Sequence, residues 1–233
     1  MSFLGKSTFL DHYQKLNNVA VYTEPVDKWR DLNGHNLLQL MYEQPERHSY
    51  TFQSYVQLTM AKVHTARTNK PIKIIERSLW SARYVFAENL LRSHKMAKSE
   101  FEVLNAWFEF LQSCPQEIDL GIDLVIYLRT SPEVAYQRLK ERARPEEKIV
   151  PLEYLQELHN LHEEWLKDTT NTGGGKILVI DADKDIEQVP DVYSEHESTI
   201  LQALKKHPRF DEKVSMTSKG KQPLALGNIS NCI

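Results

Sequence analysis

Gly5-Lys6-Ser7-Thr8 is the first stretch of the chain whose residue types and order suggest chemistry. Gly-Lys-Ser/Thr closes a phosphate-binding loop. In such a loop backbone N–H groups cradle the phosphates, the lysine reaches the terminal ones and the hydroxyl meets Mg2+. The glycines that open the full G-x-x-x-x-G-K-[ST] pattern are replaced here by Met1-Ser2-Phe3-Leu4. Alone, the tetrapeptide is equally consistent with a turn that starts a helix. The next reactive groups stand at the ends of apolar runs: Thr23-Glu24-Pro25, then Glu76-Arg77-Ser78, then Arg129-Thr130. In open parallel sheets ligands bind beyond the carboxyl ends of the strands. A carboxylate at one strand end and a carboxylate–arginine pair at the next would therefore meet in one cleft. Arg138, Lys140, Arg142 and Arg144 follow, with Arg138 and Arg142 on one helical face, where they could clamp a polyphosphate.

The elements that must hold these groups are legible in the hydrophobic pattern. Val19–Thr23, Ile72–Ile75, Leu124–Leu128 and Ile177–Ile180 are continuously apolar and β-branched, the signature of strands buried on both faces of a parallel sheet. Between them lie helical stretches. One covers 151–166, with Leu152, Leu155, Leu158, Leu161 and Trp165 on one stripe and Pro151 suited to the first turn. Another covers 99–112, with Phe101, Leu104, Phe108 and Leu111 together. Such alternation specifies a doubly wound α/β fold. A further helix is expected through Tyr193–Leu204, a polar loop at Thr169–Gly175, and a disordered tail over 207–233, which leaves one domain over 1–206. His159, His162 and Glu163 match no zinc motif and read as a solvated helix face.

Composition limits the function classes. The 233 residues carry 29 Lys plus Arg against 32 Asp plus Glu, a net charge of −3, which gives no electrostatic footprint for nucleic acid. No apolar run is long enough for a membrane span. Two cysteines, Cys114 and Cys232, make no disulfide framework and suit a reducing, intracellular compartment.

Several segments, in order, resemble the deoxyribonucleoside kinases. They are Thr23-Glu24-Pro25-Val26-Asp27-Lys28-Trp29, Phe52-Gln53-Ser54-Tyr55-Val56, Glu76-Arg77-Ser78, Arg142-Ala143-Arg144-Pro145-Glu146-Glu147 and Pro151-Leu152-Glu153-Tyr154-Leu155 through Trp165. The chain is most similar to the branch of broad-specificity insect enzymes and mitochondrial-type thymidine kinase. That resemblance implies a P-loop kinase fold with sheet order 2-3-1-4-5, a basic lid, and a chain that starts after the family's first, central strand. It implies ATP-dependent phosphorylation of the 5′-hydroxyl of deoxyribonucleosides in nucleotide salvage, with Mg2+, by a homodimer. The compartment would be cytoplasmic, with the mitochondrion as second choice. The alternative is an inactive relative that only binds nucleoside or dimerises.

The resemblance also assigns roles. Glu24 would be the general base and Arg77 would steady it and the developing charge. Ser7 and Glu76 would serve Mg2+. Gly5, Lys6, Ser7, Thr8, Arg138, Arg142 and Arg144 would hold the phosphates. Gln53 would pair with the base edge, Trp29, Phe52 and Phe86 would stack on it, and Met41 and Val56 would complete the pocket. Tyr42 and Glu147 would hold the 3′-hydroxyl, and Arg77 would also touch the nucleoside. Met60 and Ala82 stand where the deoxycytidine- and purine-selecting branch carries Arg and Asp. Two apolar groups there leave room for a thymine methyl, so pyrimidines are favoured.

Overall fold

A computed structural model describes residues 6–114, 120–142, 150–183 and residue 200. Helix α1 (Lys6–Gln14) leads into strand β1 (Val19–Tyr22). Helices α2 (Val26–Arg30), α3 (Leu37–Glu43) and α4 (Pro45–Thr65) follow, then strand β2 (Ile72–Ile75). Asn36 caps α3 by accepting from the Gln39 N–H at 3.0 Å, and Pro45 opens α4, where a missing N–H costs nothing. A continuous helical rod comes next: α5 (Leu79–Ser81), a π-helical stretch (Ala82–Ala87) and α6 (Glu88–Arg92). The chain ends its described part with α7 (Lys98–Gln112), β3 (Leu124–Arg129), α8 (Pro132–Arg142), α9 (Leu152–Trp165), a 3₁₀ turn (Thr169–Thr172) and β4 (Lys176–Asp181). Strand and helix limits lie within one or two residues of those the apolar runs specify. The expected helix at Tyr193–Leu204, apart from helical Ile200, and the tail over 207–233 lie outside the described residues.

The strands form two parallel pairs, β1 with β2 and β3 with β4. These correspond to the second–third and fourth–fifth neighbours of the order 2-3-1-4-5. A cavity of about 670 Å3 separates the pairs; it is lined by every residue of β2 and by Leu124–Leu128 of β3, and by none of β1 or β4. Among the described residues no strand lies in that gap. One face of both pairs is covered by α1, whose Phe9, Leu10 and Tyr13 pack with Val19, Ile72, Leu128 and Ile180, one residue from each strand. A larger core joins α2, α3, α4, the helical rod, α7 and α9 around Trp29, Phe52, Met60, Trp80, Phe108 and Trp165. Gly173 ends the 3₁₀ turn at φ +72°, a left-handed conformation that suits glycine, and a Cβ there would meet the Trp80 ring at 2.8 Å.

Candidate active site

The carboxyl ends of β1 and β2 deliver Glu24 and Glu76-Arg77 side by side. Arg77 Nη1 donates to Glu24 Oε1 at 2.7 Å, and the Glu24 backbone N–H donates to Glu76 Oε2 at 3.1 Å. Lys6, the first residue of α1, places Nζ 3.1 Å from Glu76 Oε1. Two charge pairs are thus tied together through one main-chain hydrogen bond. Burial would raise the Glu76 carboxyl, but the Lys6 ammonium, the Glu24 N–H and the Arg77 charge together hold it below the usual carboxylate range. Burial and the nearby Arg77 charge pull the Lys6 ammonium down, against opposition from Glu24 and Glu76. Arg77 itself sits at φ +61°, a strained backbone for a residue with a side chain. Ser78 immediately follows as the cap of the helical rod, in a reciprocal capping box with Ser81.

The cluster stands between two cavities. One is lined by Glu24, Trp29, Met41, Tyr42, Phe52, Gln53, Val56, Met60, Ala82 and Phe86, among others. The other is the gap between the strand pairs, with Lys6 and Glu76 at its rim. Arg77, Ser78, Ser81 and Phe86 line both, so they form the dividing wall. Within the first cavity Gln53 is only 6% exposed, and its side chain lines the free space. Trp29 is fixed by its indole N–H to Thr59 Oγ1 at 2.9 Å and meets Phe52 edge to face at 5.6 Å. Met60 is 1% exposed. The free volume is about 60 Å3, well under the ~300 Å3 at which small-molecule sites begin, so a ligand the size of a nucleoside enters only as the lining side chains move.

Other expected residues are placed differently. Arg129 pairs with Glu163 at 2.8 Å on the exposed side of α9 and does not join the Glu24–Arg77 cluster. Arg138 Nη1 donates to the Ala182 carbonyl at 2.7 Å, which fastens α8 to the end of β4. Arg142 ends α8. Gly5, Arg144 and Glu147 lie outside the described residues. His162 is not on a solvated face: its ring stacks on Tyr127 (5.8 Å, 3° between planes), meets Phe86 at 6.2 Å and contacts the Leu158 carbonyl at 2.7 Å through Nδ1. Burial pushes it down to about 4, against the Leu158 hydrogen bond, with Arg77 and Lys6 adding to the shift.

Sequence reasoning missed Val26, Arg30, Leu38, Ser78, Ser81, Leu90 and Tyr154, which complete the first cavity. Arg30 directly follows Trp29, and Tyr154 lies inside a quoted motif, so both carried a signal. Burial pushes the Tyr154 hydroxyl up to about 12, although the nearby Arg77 charge opposes this. The oxygen donors Glu76 and Ser7 suit a hard divalent cation, and a cationic group, Lys6, already stands on Glu76. Among the described residues no group of three or more His, Cys, Asp or Glu forms a dedicated metal cage.

Carboxylates at the carboxyl ends of two parallel strands, one paired with an arginine and the other with a lysine from the start of α1, and set between two cavities, suit an α/β phosphotransferase. The chain belongs to the deoxynucleoside kinase family, whose profile matches residues 3–207. It is 46% identical over 198 residues to human "Thymidine kinase 2, mitochondrial", which covers 84% of this chain and 74% of that protein. It is 37% identical over 189 residues to human "Deoxycytidine kinase" (71% and 72% covered). To chicken "Deoxycytidine kinase 2" it is 35% identical over 212 residues (78% and 79% covered).

Proposed function

We propose that this protein transfers the γ-phosphoryl group of ATP to the 5′-hydroxyl of deoxyribonucleosides, with pyrimidines favoured, to supply deoxynucleoside monophosphates for salvage. The observation that carries the reading is the dividing wall. Glu24 opens only on the smaller cavity, Lys6 and Glu76 only on the larger, and Arg77 on both. The nucleoside takes the first side and the phosphates the second. Glu24 accepts the hydroxyl proton as the oxygen attacks, while Arg77 holds Glu24 in place and offsets the charge that develops between them. Lys6 neutralises phosphate oxygens. Glu76 and Ser7 hold Mg2+, which screens the phosphate charge when bound. Phosphoryl transfer needs little covalent help, so positioning and charge are sufficient.

Base recognition rests on Gln53, whose amide offers one donor and one acceptor. The apolar Met60 and Ala82 leave space for a thymine methyl, and Tyr42 holds the 3′-hydroxyl. Thr8, Arg138, Arg142, Arg144 and Gly5 are assigned to the phosphates and Glu147 to the sugar through the family motifs. The Arg138 contact with Ala182 implies that α8 must reorient before that residue reaches a phosphate. The kinase domain is assigned to 1–206, supported by the family match over 3–207, with 207–233 as a tail. A homodimer is supported by the exposed Val103, Trp107 and Phe110 of α7, an apolar face for a second copy. No described helix is long and apolar enough to cross a membrane. ATP and deoxynucleosides as substrates place the enzyme inside the cell, in the cytoplasm first, with the mitochondrion suggested by the name of the human relative.

The direct test is ATP- and Mg2+-dependent phosphorylation of thymidine and deoxycytidine. Glu24→Gln should reduce turnover by at least ~1000-fold while nucleoside still binds. Turnover that survives the substitution removes Glu24 as the base. Failure of the unaltered chain to phosphorylate any deoxynucleoside removes the assignment.

A further inference from the structure

The guanidinium of Arg77 lies 4.1 Å from the centre of the Phe86 ring, over its face. Among the described residues two contacts hold that guanidinium: the Glu24 carboxylate at one end and the Phe86 ring beneath it. A carboxylate alone leaves the planar group free to swing about the bond to its oxygen. A ring face fixes the plane as well. We propose that Phe86 is a positioning residue for Arg77, so that one side chain both walls the nucleoside cavity and keeps the arginine aligned on Glu24. The inference rests on the phosphotransfer reading above for its consequence in turnover, but not for its geometry.

Three features converge on this role. First, Arg77 has a left-handed backbone, so its side-chain direction is set by a strained main chain and needs an external contact to be kept. Second, Phe86 lies in the π-helical stretch Ala82–Ala87, where the wider i→i+5 turn keeps Ala82, Phe86 and Leu90 on the side that lines the nucleoside cavity. π-Helical turns are costly and concentrate at functional sites. Third, the ring is itself braced, with His162 edge to face at 6.2 Å and His162 in turn stacked on Tyr127. The brace therefore runs from β3 through α9 and the helical rod to the catalytic arginine at the end of β2. Arg77 is repelled by Lys6, which also faces it, and the attraction of the ring quadrupole opposes that push.

A nucleobase stacked on Phe86 would use the ring face opposite Arg77. Seating the base then stiffens the same ring that holds the arginine, which links occupancy of the nucleoside cavity to readiness for transfer.

The test uses the full chain with Phe86→Leu, Phe86→Tyr and Phe86→Trp, and Arg77→Gln alone and combined with Phe86→Leu. The first readout needs no turnover: nitrogen-15 NMR of the Arg77 side-chain N–H. Phe86→Leu keeps apolar bulk but loses the π face, so the Arg77 signal should become mobile and exchange faster. Phe86→Tyr and Phe86→Trp should restore it. An Arg77 signal as ordered in Phe86→Leu as in the unaltered protein overturns the proposal, whatever the enzyme turns over. The second readout is kinetic. Phe86→Leu should lower kcat by about 3- to 20-fold, with kcat recovered in Phe86→Tyr, and should also raise the nucleoside KM. In the Arg77→Gln background, which has no cation for the ring face, the kcat loss should vanish while the KM rise remains. Losses in kcat that multiply in the double variant would show that Phe86 serves the nucleoside only. Absence of turnover in the unaltered protein, with the NMR result as expected, would refute the kinase reading and leave the positioning contact standing.

Discussion

Lys6 and Glu76 are joined at 3.1 Å, with their side chains 17% and 12% exposed. In the proposed roles the lysine that would meet phosphate thus rests on the carboxylate that would meet the metal, and the Lys6 charge helps hold Glu76 ionised against the cost of its burial. With Mg2+ on Glu76 and phosphate on Lys6, each side chain would exchange one charged partner for another and neither would be left as a bare buried charge. Glu76→Gln should cut turnover by roughly 100-fold or more and shift the Mg2+ titration to higher concentration. Nucleoside affinity should stay within a factor of about two, since Glu76 does not line that cavity. The thermal midpoint should fall as well, because Lys6 keeps a charge that nothing in the pair then balances. An unchanged Mg2+ titration removes Glu76 as a metal ligand.

Met60 and Ala82 face the same cavity, and Met60 is almost fully enclosed. Met60→Arg with Ala82→Asp places two opposite charges where no water can solvate them separately, so only the double variant lets them pair. The ratio of kcat/KM for thymidine over deoxycytidine should fall by at least ~10-fold in the double variant, because the space for the thymine methyl is filled by charged groups. The single Met60→Arg variant should lose stability by several kcal/mol for want of a partner. A thymidine preference unaltered in the double variant refutes the pocket assignment.

The strands and main helices were legible because their cause is local. Strands buried on both faces read as unbroken apolar runs, and α9 shows its buried stripe at Leu155, Leu158, Leu161 and Trp165. Glu24 and Arg77 were legible because they close strands, where a parallel sheet gathers its ligands. What could not be read depends on packing. Arg129 has the same sequence setting as Arg77, yet a Glu163 on the facing helix turns it to the surface. Arg138 is drawn to a carbonyl 44 residues away, at Ala182. His162 looks polar in a helix of mixed composition, and only its contacts with the rings of Tyr127, Phe86 and Trp165 show why it is half-buried. The π-helical turn at Ala82–Ala87 has no proline, glycine or spacing that marks it.

His162 makes a pH prediction with a definite sign. Its ordinary value of 6.5 is brought to about 4 by burial, with Arg77, Lys6 and His159 adding repulsion and the Leu158 carbonyl opposing. Between those values the unfolded chain binds a proton that the folded chain does not. Stability is therefore complete above about pH 6.5 and falls as the pH drops towards 4, by about 2–3 kcal/mol in all. His162→Phe keeps an aromatic ring on Tyr127 and removes the titration. Denaturant unfolding followed from pH 7 to pH 4 should show a shallower loss for this variant. Equal slopes for the two proteins would mean that His162 is not held neutral in the fold.

Val103, Trp107 and Phe110 of α7 are 44%, 57% and 54% exposed, and Trp107 meets Phe110 edge to face at 5.9 Å. An exposed apolar face of this kind on one helix suits burial against its own copy. Sedimentation should give twice the mass of one chain. Trp107→Glu should give one chain's mass without loss of helix content, because the face adds nothing to the internal core. A single-chain mass for the unaltered protein refutes the homodimer.

The two inner strand edges make the sharpest local prediction. Lys176 N–H donates to the Asp123 carbonyl at 3.2 Å and Ala182 N–H to the Arg129 carbonyl at 2.8 Å. In a parallel ladder alternate residues turn both peptide groups to the same side. The register Leu124↔Lys176 then directs the amides of Val125, Tyr127 and Arg129 to β4, and those of Leu124, Ile126 and Leu128 into the 670 Å3 cavity. Amide exchange followed by NMR should alternate along β3, with Leu124, Ile126 and Leu128 at least ~10-fold faster than their neighbours. An extended apolar peptide of five or six residues, added in excess, should slow those three amides selectively. Such a segment could hydrogen-bond to both edges while burying side chains against α1 on one face and α9 on the other. Uniform protection along β3 without any peptide would mean that the edge is already covered and the gap between the strand pairs is closed.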